Sequence, residues 1–279
     1  MRYAEPDFDL LPDGSPLPEV EPCELTPELL RAGILRSGCL LVRGLVDRSE
    51  AERLVKEIDR ALVVRQGGDP SAPEGYYEAF EPGAPFDLAP ERGWVSHAGG
   101  LWAADSPRLM YDVLEAFERG GLKRVIGGYL GEHPALSVNK CTLRKVTPDI
   151  RGGFEGSVWH QDGAFLGKVR ALNVWLSLSH CGDKAPGLDI VPRRLDGVVP
   201  TGTEGAIFDW SASQAVAEEA AGDVPILRPI FEPGDVLLFD ELFLHATAAD
   251  PEMPNTRYAV ESWFFGPSAF PADYVPLAF

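Results

Sequence analysis

The sequence predicts an α+β chain in which helices come first and a β-sandwich or barrel follows. Two observations predict it. Up to Phe117, apolar residues recur at the spacing of amphipathic helices. From residue 135 short apolar runs bounded by Gly and Pro take over. The length of 279 residues suits a single β-barrel unit, and no internal repeat divides it.

Each element has a local reason. Residues 1–22 hold six acidic residues and five prolines, which reads as an extended, loosely ordered arm ahead of one domain over 23–279. Thr26-Pro27-Glu28 opens a helix, with Thr26 as N-cap and Pro27 in the first turn. Cys39–Arg43 is a short strand ended by Gly44. Asp47 or Ser49 caps a second helix, in which Ala51, Leu54, Val55, Ile58 and Leu62 recur at helical spacing. Residues 64–100 carry seven Gly and five Pro among Tyr76, Tyr77, Phe80, Phe86, Trp94 and His97. That is the composition of a long inserted loop, either beside a functional site or packed on the outside of the domain. Ser106-Pro107 starts a helix with Leu109, Val113, Leu114 and Phe117 on one side. Strands are expected at Leu136–Val146, Arg170–Leu178, Gly187–Val191, Gly234–Phe239 and Arg257–Phe265, the fourth behind a Pro-Gly turn. Between them, 193–225 is a second insert with a helix near Ser211–Ala220.

Composition excludes several classes of function. A net charge of -18 repels phosphate backbones and argues against nucleic-acid binding. No run of ~18 apolar residues predicts a membrane span, and Met1–Pro22 lacks the basic and apolar regions of a secretory signal. Cys23, Cys39, Cys141 and Cys181 show no zinc spacing and read as free thiols, which favours a reducing, cytoplasmic address.

The chemistry centres on Trp159-His160-Gln161-Asp162. In a strand, residues two apart face the same way, so His160 and Asp162 can reach one ion. His245, after the apolar run Val236–Phe239, is the candidate third ligand. Alone, a His-X-Asp tripeptide is often accidental, and a lone His245 is more often a satisfied core histidine. Together, two His and one carboxylate on one face of a metal leave the opposite positions open, as in non-haem Fe(II) oxygenases. Arg257 lies on the next strand between apolar residues. Arginine grips carboxylates bidentately, so a co-substrate with a distal carboxylate, 2-oxoglutarate, fits it; the ordinary alternative is a surface salt bridge.

In this order the segments resemble the phytanoyl-CoA dioxygenase family of Fe(II)/2-oxoglutarate oxygenases, from about Arg36 to Phe265. The resemblance is carried by Ser37–Gly44, Trp159–Asp162, Asn173–Leu178, Gly187–Pro192 and Gly234–His245. It implies a double-stranded β-helix, a jelly-roll related to cupins, with N-terminal helices packed on one sheet. It also implies Fe(II) held by His160, Asp162 and His245, with O2 as oxidant and 2-oxoglutarate decarboxylated to succinate. Arg257 would bind the 5-carboxylate with help from Thr247, while Trp175 and Asn173 line the co-substrate pocket. The family usually has Gly-Ser-His where this chain has Arg193-Arg194-Leu195, and Ala259 stands where a hydroxyl residue is found. Asp162 disfavours a halogenase. The expected substrate is a small metabolite or natural-product intermediate, hydroxylated or otherwise oxidised. Its walls are expected from 64–100 and 193–225, with Tyr76, Tyr77, Trp94, His97, Arg193 and Arg194 as candidates. A cupin-like isomerase or a non-oxidative binding protein is the alternative. The apolar tail Phe270–Phe279 has three possible places: its own barrel, a partner's, or the pocket mouth.

Overall fold

Strand parity organises the molecule in the computed structural model, which describes residues 3–69, 71–84, 89–150 and 157–279. The chain enters through β1 (Glu19–Val20), α1 (Pro27–Ser37), β2 (Cys39–Val42) and α2 (Arg48–Arg65). Next, α3 (Ala89–His97), β3 (Gly100–Trp102), α4 (Pro107–Arg119) and α5 (Leu122–Leu130) lead to the long β4 (Ala135–Val146). The remainder is α6 (Gly163–Leu166), β5 (Ala171–Ser177), β6 (Gly187–Ile190), α7 (Gln214–Ala221), β7 (Val236–Phe239), β8 (His245–Ala248), β9 (Arg257–Phe265) and β10 (Pro276–Ala278).

Among the described residues, the larger sheet has eight strands in the order β1-β2-β7-β5-β9-β4-β10, with β3 also on β4. Its pairings are antiparallel except β1 on β2. A second, small sheet pairs β6 with β8. Isolated bridges of His160 with His245 and of Ile190 with Leu227 widen it on both sides.

Three layers result. Leu40, Val42, Leu172, Val174, Leu176, Val236 and Leu238 face the helices and pack with Leu30, Ile34, Leu54, Ile58, Phe117 and Ile126. Their neighbours Cys39, Leu41, Ala171, Trp175, Leu237 and Phe239 face the other way and meet Leu188 and Ile190 of the small sheet. Strands β2, β5 and β7 are therefore buried on both faces, so they read as unbroken apolar runs instead of alternating ones. Each fully buried Leu, Val or Phe contributes roughly 1.5–3 kcal/mol, so parity is strongly fixed. The N-terminal helices α1, α2, α4 and α5 lie on one sheet, as expected, whereas α7 packs with Trp159, Leu244 and Ala246 on the side of the small sheet.

The helix starts and stops follow the sequence signals. Thr26 Oγ1 accepts a hydrogen bond from Leu29 N at 3.1 Å, and Gly38 takes a left-handed φ of 77° that stops α1 and releases β2.

Several expectations change. The arm is extended but docked: β1 pairs with β2, and Leu11, Leu17 and Val20 are buried. Residues 64–100 are not all loop, since α2 reaches Arg65 and α3 occupies Ala89–His97; Phe86 lies outside the described residues. Helix α5 was not foreseen, because its Gly127-Gly128 pair weakens helical propensity. Packing overrides that: a Cβ on Gly128 would meet Pro27 Cβ at 2.5 Å, so glycine lets α5 lie against the start of α1. In the tail, β10 pairs with β4 of its own sheet, and the Phe279 ring packs on Phe264 with centroids 5.0 Å apart. Among the described residues no helix is long and apolar enough to cross a membrane.

The turn before β7 is a tight point. Gly234 has φ 97°, and a Cβ there would lie 1.9 Å from Val46 O. Next to it, buried Asp235 accepts from Gly44 N at 2.9 Å and from Arg43 Nη1 at 2.6 Å. Gly234→Ala is expected to lower the unfolding free energy by about 2 kcal/mol or more through strain and displacement. A denaturant melt unchanged from wild type would contradict this reading of the turn.

Candidate metal centre

Two distant segments meet through their backbones. His160 N donates to His245 O at 2.9 Å, and His245 N donates to His160 O at 3.1 Å. This pairing sets the two imidazoles side by side, with ring centroids 4.3 Å apart. Each ring is then locked by the carbonyl two residues before it: His160 Nδ1 donates to Val158 O, and His245 Nδ1 to Phe243 O, both at 3.0 Å. A carbonyl only accepts, so both protons sit on Nδ1 and both Nε2 lone pairs are free for a metal.

Asp162 arrives differently from the sequence expectation. The strand stops at His160, and Asp162 has helical angles (φ -62°, ψ -24°) at the entrance to α6. Gly163 N donates to Glu241 O at 2.8 Å, and Glu241 closely precedes β8, so the turn is tied to the segment that carries His245. Between the two candidates, the Gln161 side chain is buried. It donates to Leu242 O at 2.6 Å and Gly197 O at 3.1 Å, and accepts from Val199 N at 2.7 Å. Ligand atoms of His160, Asp162 and His245 all lie within 4.8 Å of one another, a group able to hold a metal ion. His245 belongs to the small sheet, not to the strand Val236–Phe239 as the apolar run suggested; residues 240–244 cross between the sheets.

The electrostatics suit a cation. Burial pushes His245 down to about 4, helped by the neighbouring His160. Burial likewise lowers His160 and raises the Asp162 carboxyl, the latter opposed chiefly by Lys140, whose Nζ is 4.0 Å away. Neutral imidazoles and a carboxylate short of solvation are what a divalent ion would compensate.

On the facing sheet, Arg257 is fully buried rather than on the surface. Its Nη1 donates to Gly187 O at 2.8 Å, while Nε and Nη2 have no hydrogen-bond partner. The guanidinium lies over Trp175 at 5.6 Å from the ring centroid. Burial pushes it down to about 10. Trp175 Nε1 and Asn173 Oδ1 are buried without partners as well. Both lie on the β5 face that looks toward the small sheet, and Trp175 also packs in that core. Thr247 sits two residues after His245 and so shares its face of β8. Glu261, on the Arg257 face of β9, adds a carboxylate. Burial works against its charge, yet Arg144, Arg257, His245 and Lys140 hold its pKa below the usual value.

Other candidates divide. Trp94 on α3 reaches Phe208 of the 193–225 insert, and that insert reaches His160 through Trp210. Tyr76 and Tyr77 pack in the helical layer, where the Tyr76 hydroxyl bonds Glu57. Arg194 pairs with buried Asp240 and Arg193 bonds Ala221 O, so neither lies free at the triad. Among the described residues no hydrogen bond, ion pair or ring contact ties His97 to it. Sequence reasoning missed Gln161, Lys140, Arg144 and Glu261 as site residues, although the alternation of β4 and β9 places Arg144 and Glu261 on the inward face.

No family model matches the chain, and no curated protein matches it. Solved structures do. The epimerase SnoN in complex with Fe3+, alpha ketoglutarate and nogalamycin RO superposes with a TM-score of 0.53 at 17% identity, over 86% of this chain and 83% of that one. EctD from S. alaskensis with 2-oxoglutarate and 5-hydroxyectoine gives 0.56 at 18% identity, over 96% and 84%. EvdO2 from Micromonospora carbonacea var. aurantiaca complexed with 2-oxoglutarate gives 0.54 at 17%, over 90% and 91%. The fold is thus that of iron- and 2-oxoglutarate-binding enzymes.

The lowered His245 pKa has a consequence for the metal-free protein. Between pH 6.5 and about 4 the unfolded state takes up a proton that the native His245 does not. Stability therefore falls as pH drops through that window and this contribution levels off below it. The raised Asp162 carboxyl acts in the opposite direction. Urea melts from pH 7 to 4, with metal chelated, should show a steeper loss for wild type than for His245→Gln; equal slopes would remove the neutral-imidazole assignment.

Proposed function

We propose that the chain is an Fe(II)- and 2-oxoglutarate-dependent dioxygenase of the phytanoyl-CoA dioxygenase kind, built on a double-stranded β-helix. It would oxidise a small metabolite or natural-product intermediate, in the first instance by hydroxylation. His160 and His245, each through Nε2, and Asp162 through a carboxylate oxygen would hold the iron. Iron with 2-oxoglutarate and O2 supplies the oxidation of an unactivated C–H bond, with succinate and CO2 as by-products.

The observation that carries the proposal is the buried, half-satisfied guanidinium of Arg257 facing the same inter-sheet space as the triad. A buried unpaired N–H costs about 1–3 kcal/mol, more on a charged group. A carboxylate accepting from Nε and Nη2 removes that cost and gives a fork-to-fork geometry. Trp175 Nε1 and Asn173 offer further polar contacts along a dicarboxylate, and Thr247 shares the face of His245. Lys140, Arg144 and Arg257 against Asp162 and Glu261 leave an excess of positive charge suited to a dianion. Arg257 would have no such role in a non-oxidative cupin-like protein. Epimerisation, as in SnoN, would use the same iron and co-substrate and would be told apart by product analysis. Four unpaired thiols favour a cytoplasmic address.

His160→Ala is expected to abolish Mn(II) binding measured by equilibrium dialysis. Arg257→Ala should keep Mn(II) binding but raise the 2-oxoglutarate concentration needed for succinate formation roughly a hundredfold, about 2.7 kcal/mol. An unchanged 2-oxoglutarate requirement would sink the co-substrate assignment.

A further inference from the structure

The space beside the triad is walled by rings. Phe208 and Trp210 stack with planes 4° apart and centroids 5.1 Å apart. Trp94 meets Phe208 edge-on at 5.7 Å, and Phe165 meets Trp210 edge-on at 5.7 Å. Trp210 in turn stands edge-on to His160, with centroids 5.7 Å apart, so the row of rings ends on a member of the triad. Three separate elements supply it: α3, α6 and the segment before α7. Trp94 is 56% exposed and Phe165 40%, while Phe208 and Trp210 are half-buried. None of the four belongs to a buried hydrophobic cluster of the described residues. Contiguous aromatic side chains of this kind, exposed or half-exposed beside a candidate reaction centre, mark a binding surface.

We propose that this row is the substrate subsite and that the substrate carries a flat aromatic ring system, held by stacking on the Phe208–Trp210 wall with its edge toward His160. The inference rests on the oxygenase reading for its chemistry, although ring binding itself requires neither metal nor co-substrate. Flat rings pair with aromatic side chains by offset stacking and edge-to-face contact, and the wall offers both orientations at once. A sugar would also stack, but its hydroxyls need free polar partners, and the side chains of Gln214, Ser211 and Ser213 next to this wall are already bonded. Gln214 accepts from Trp159 Nε1 and donates to Glu218. Ser211 is bonded to the Phe208 backbone, and Ser213 caps α7. The Lys140 ammonium lies 4.2 Å over the Phe165 ring and beside Asp162.

Titration calorimetry with 2-naphthol and decahydro-2-naphthol tests this, since the two differ in flatness and aromaticity and neither carries a charge that would seek Arg257. On metal-free protein, 2-naphthol should bind at least about tenfold more tightly than its saturated counterpart. Trp210→Ala should weaken it roughly tenfold, and Phe208→Leu, which keeps bulk and removes the ring, should weaken it severalfold. Tyr111→Ala, at an aromatic 66% exposed on α4, should leave binding unchanged. Thermal melts and Mn(II) binding show whether each variant is folded, and Phe208→Leu carries the test if Trp210→Ala is not. Equal binding of the two alcohols, no 2-naphthol binding at millimolar concentration, indifference to Phe208→Leu, or preference for methyl glucoside would each overturn the proposal. Because metal and 2-oxoglutarate are absent, these outcomes are independent of the succinate assay.

Discussion

The backbone pairing of His160 with His245 is the constraint on which the site depends. Two hydrogen bonds are worth only about 0.5–1.5 kcal/mol each in net stability, but they fix where two imidazoles stand relative to each other. The pairing survives because both partners are held from outside. Trp159, immediately before, donates from Nε1 to Gln214 of α7 at 2.7 Å, and its carbonyl accepts from Ala212 N at 2.8 Å. Gln161, immediately after, is tied by three hydrogen bonds to 197, 199 and 242. The 193–225 insert thus has a structural task as well as the proposed one at the substrate: it clamps the residues on either side of His160.

Charge explains why such a site would sit poorly without its ligands. Inside the gap between the sheets are two carboxylates, three cations and a pair of neutral imidazoles, with several buried N–H groups unmet. In a medium of low effective dielectric, unpaired groups of this kind are costly, and a protein tolerates the cost where a bound group removes it. A divalent ion would serve Asp162 and the two Nε2 atoms, while a dicarboxylate would serve Arg257 and its neighbours. Neither alone balances the set, which favours a site loaded with both.

Much of this was legible in the sequence, for identifiable reasons. The strands β5, β7 and β9 announce themselves as apolar runs behind turn signals, and the triad residues are chemically distinctive. The orphaned state of Arg257 was not legible, because it depends on what Gly187 offers and on what the facing strands withhold. Helix α3 was hidden by glycine- and proline-rich neighbours and is tied down by Arg92 pairing with buried Asp105, whereas α5, hidden by its own glycines, is rescued by tertiary packing. The aromatic wall was half visible: Trp94 stood out in a biased segment, whereas Phe208 and Trp210 sit in an insert with no periodicity. Arg193 and Arg194 misled, since a pair of arginines signals an anion site only when no carboxylate is already at hand, and Asp240 is.

Strand parity couples stability to chemistry. On β5, Leu172, Val174 and Leu176 face the helices, which sends Asn173 and Trp175 to the opposite face. On β9, Val260 and Phe264 do the same for Arg257 and Glu261. A slip of one residue in either strand would bury the polar set among the helices and turn the apolar set into the gap. Each misplaced Leu, Val or Phe would forfeit roughly 1.5–3 kcal/mol, so the slip is excluded by several times the stability of a typical domain fluctuation. The hydrophobic layer under the helices is therefore what aims the proposed co-substrate residues. The proposed metal residues are aimed by a different device, the bridge and its clamps in the small sheet. The two halves of the site are built by separate forces on separate sheets, and they meet only because the inter-sheet core of Leu41, Leu188, Ile190 and Phe239 holds those sheets face to face.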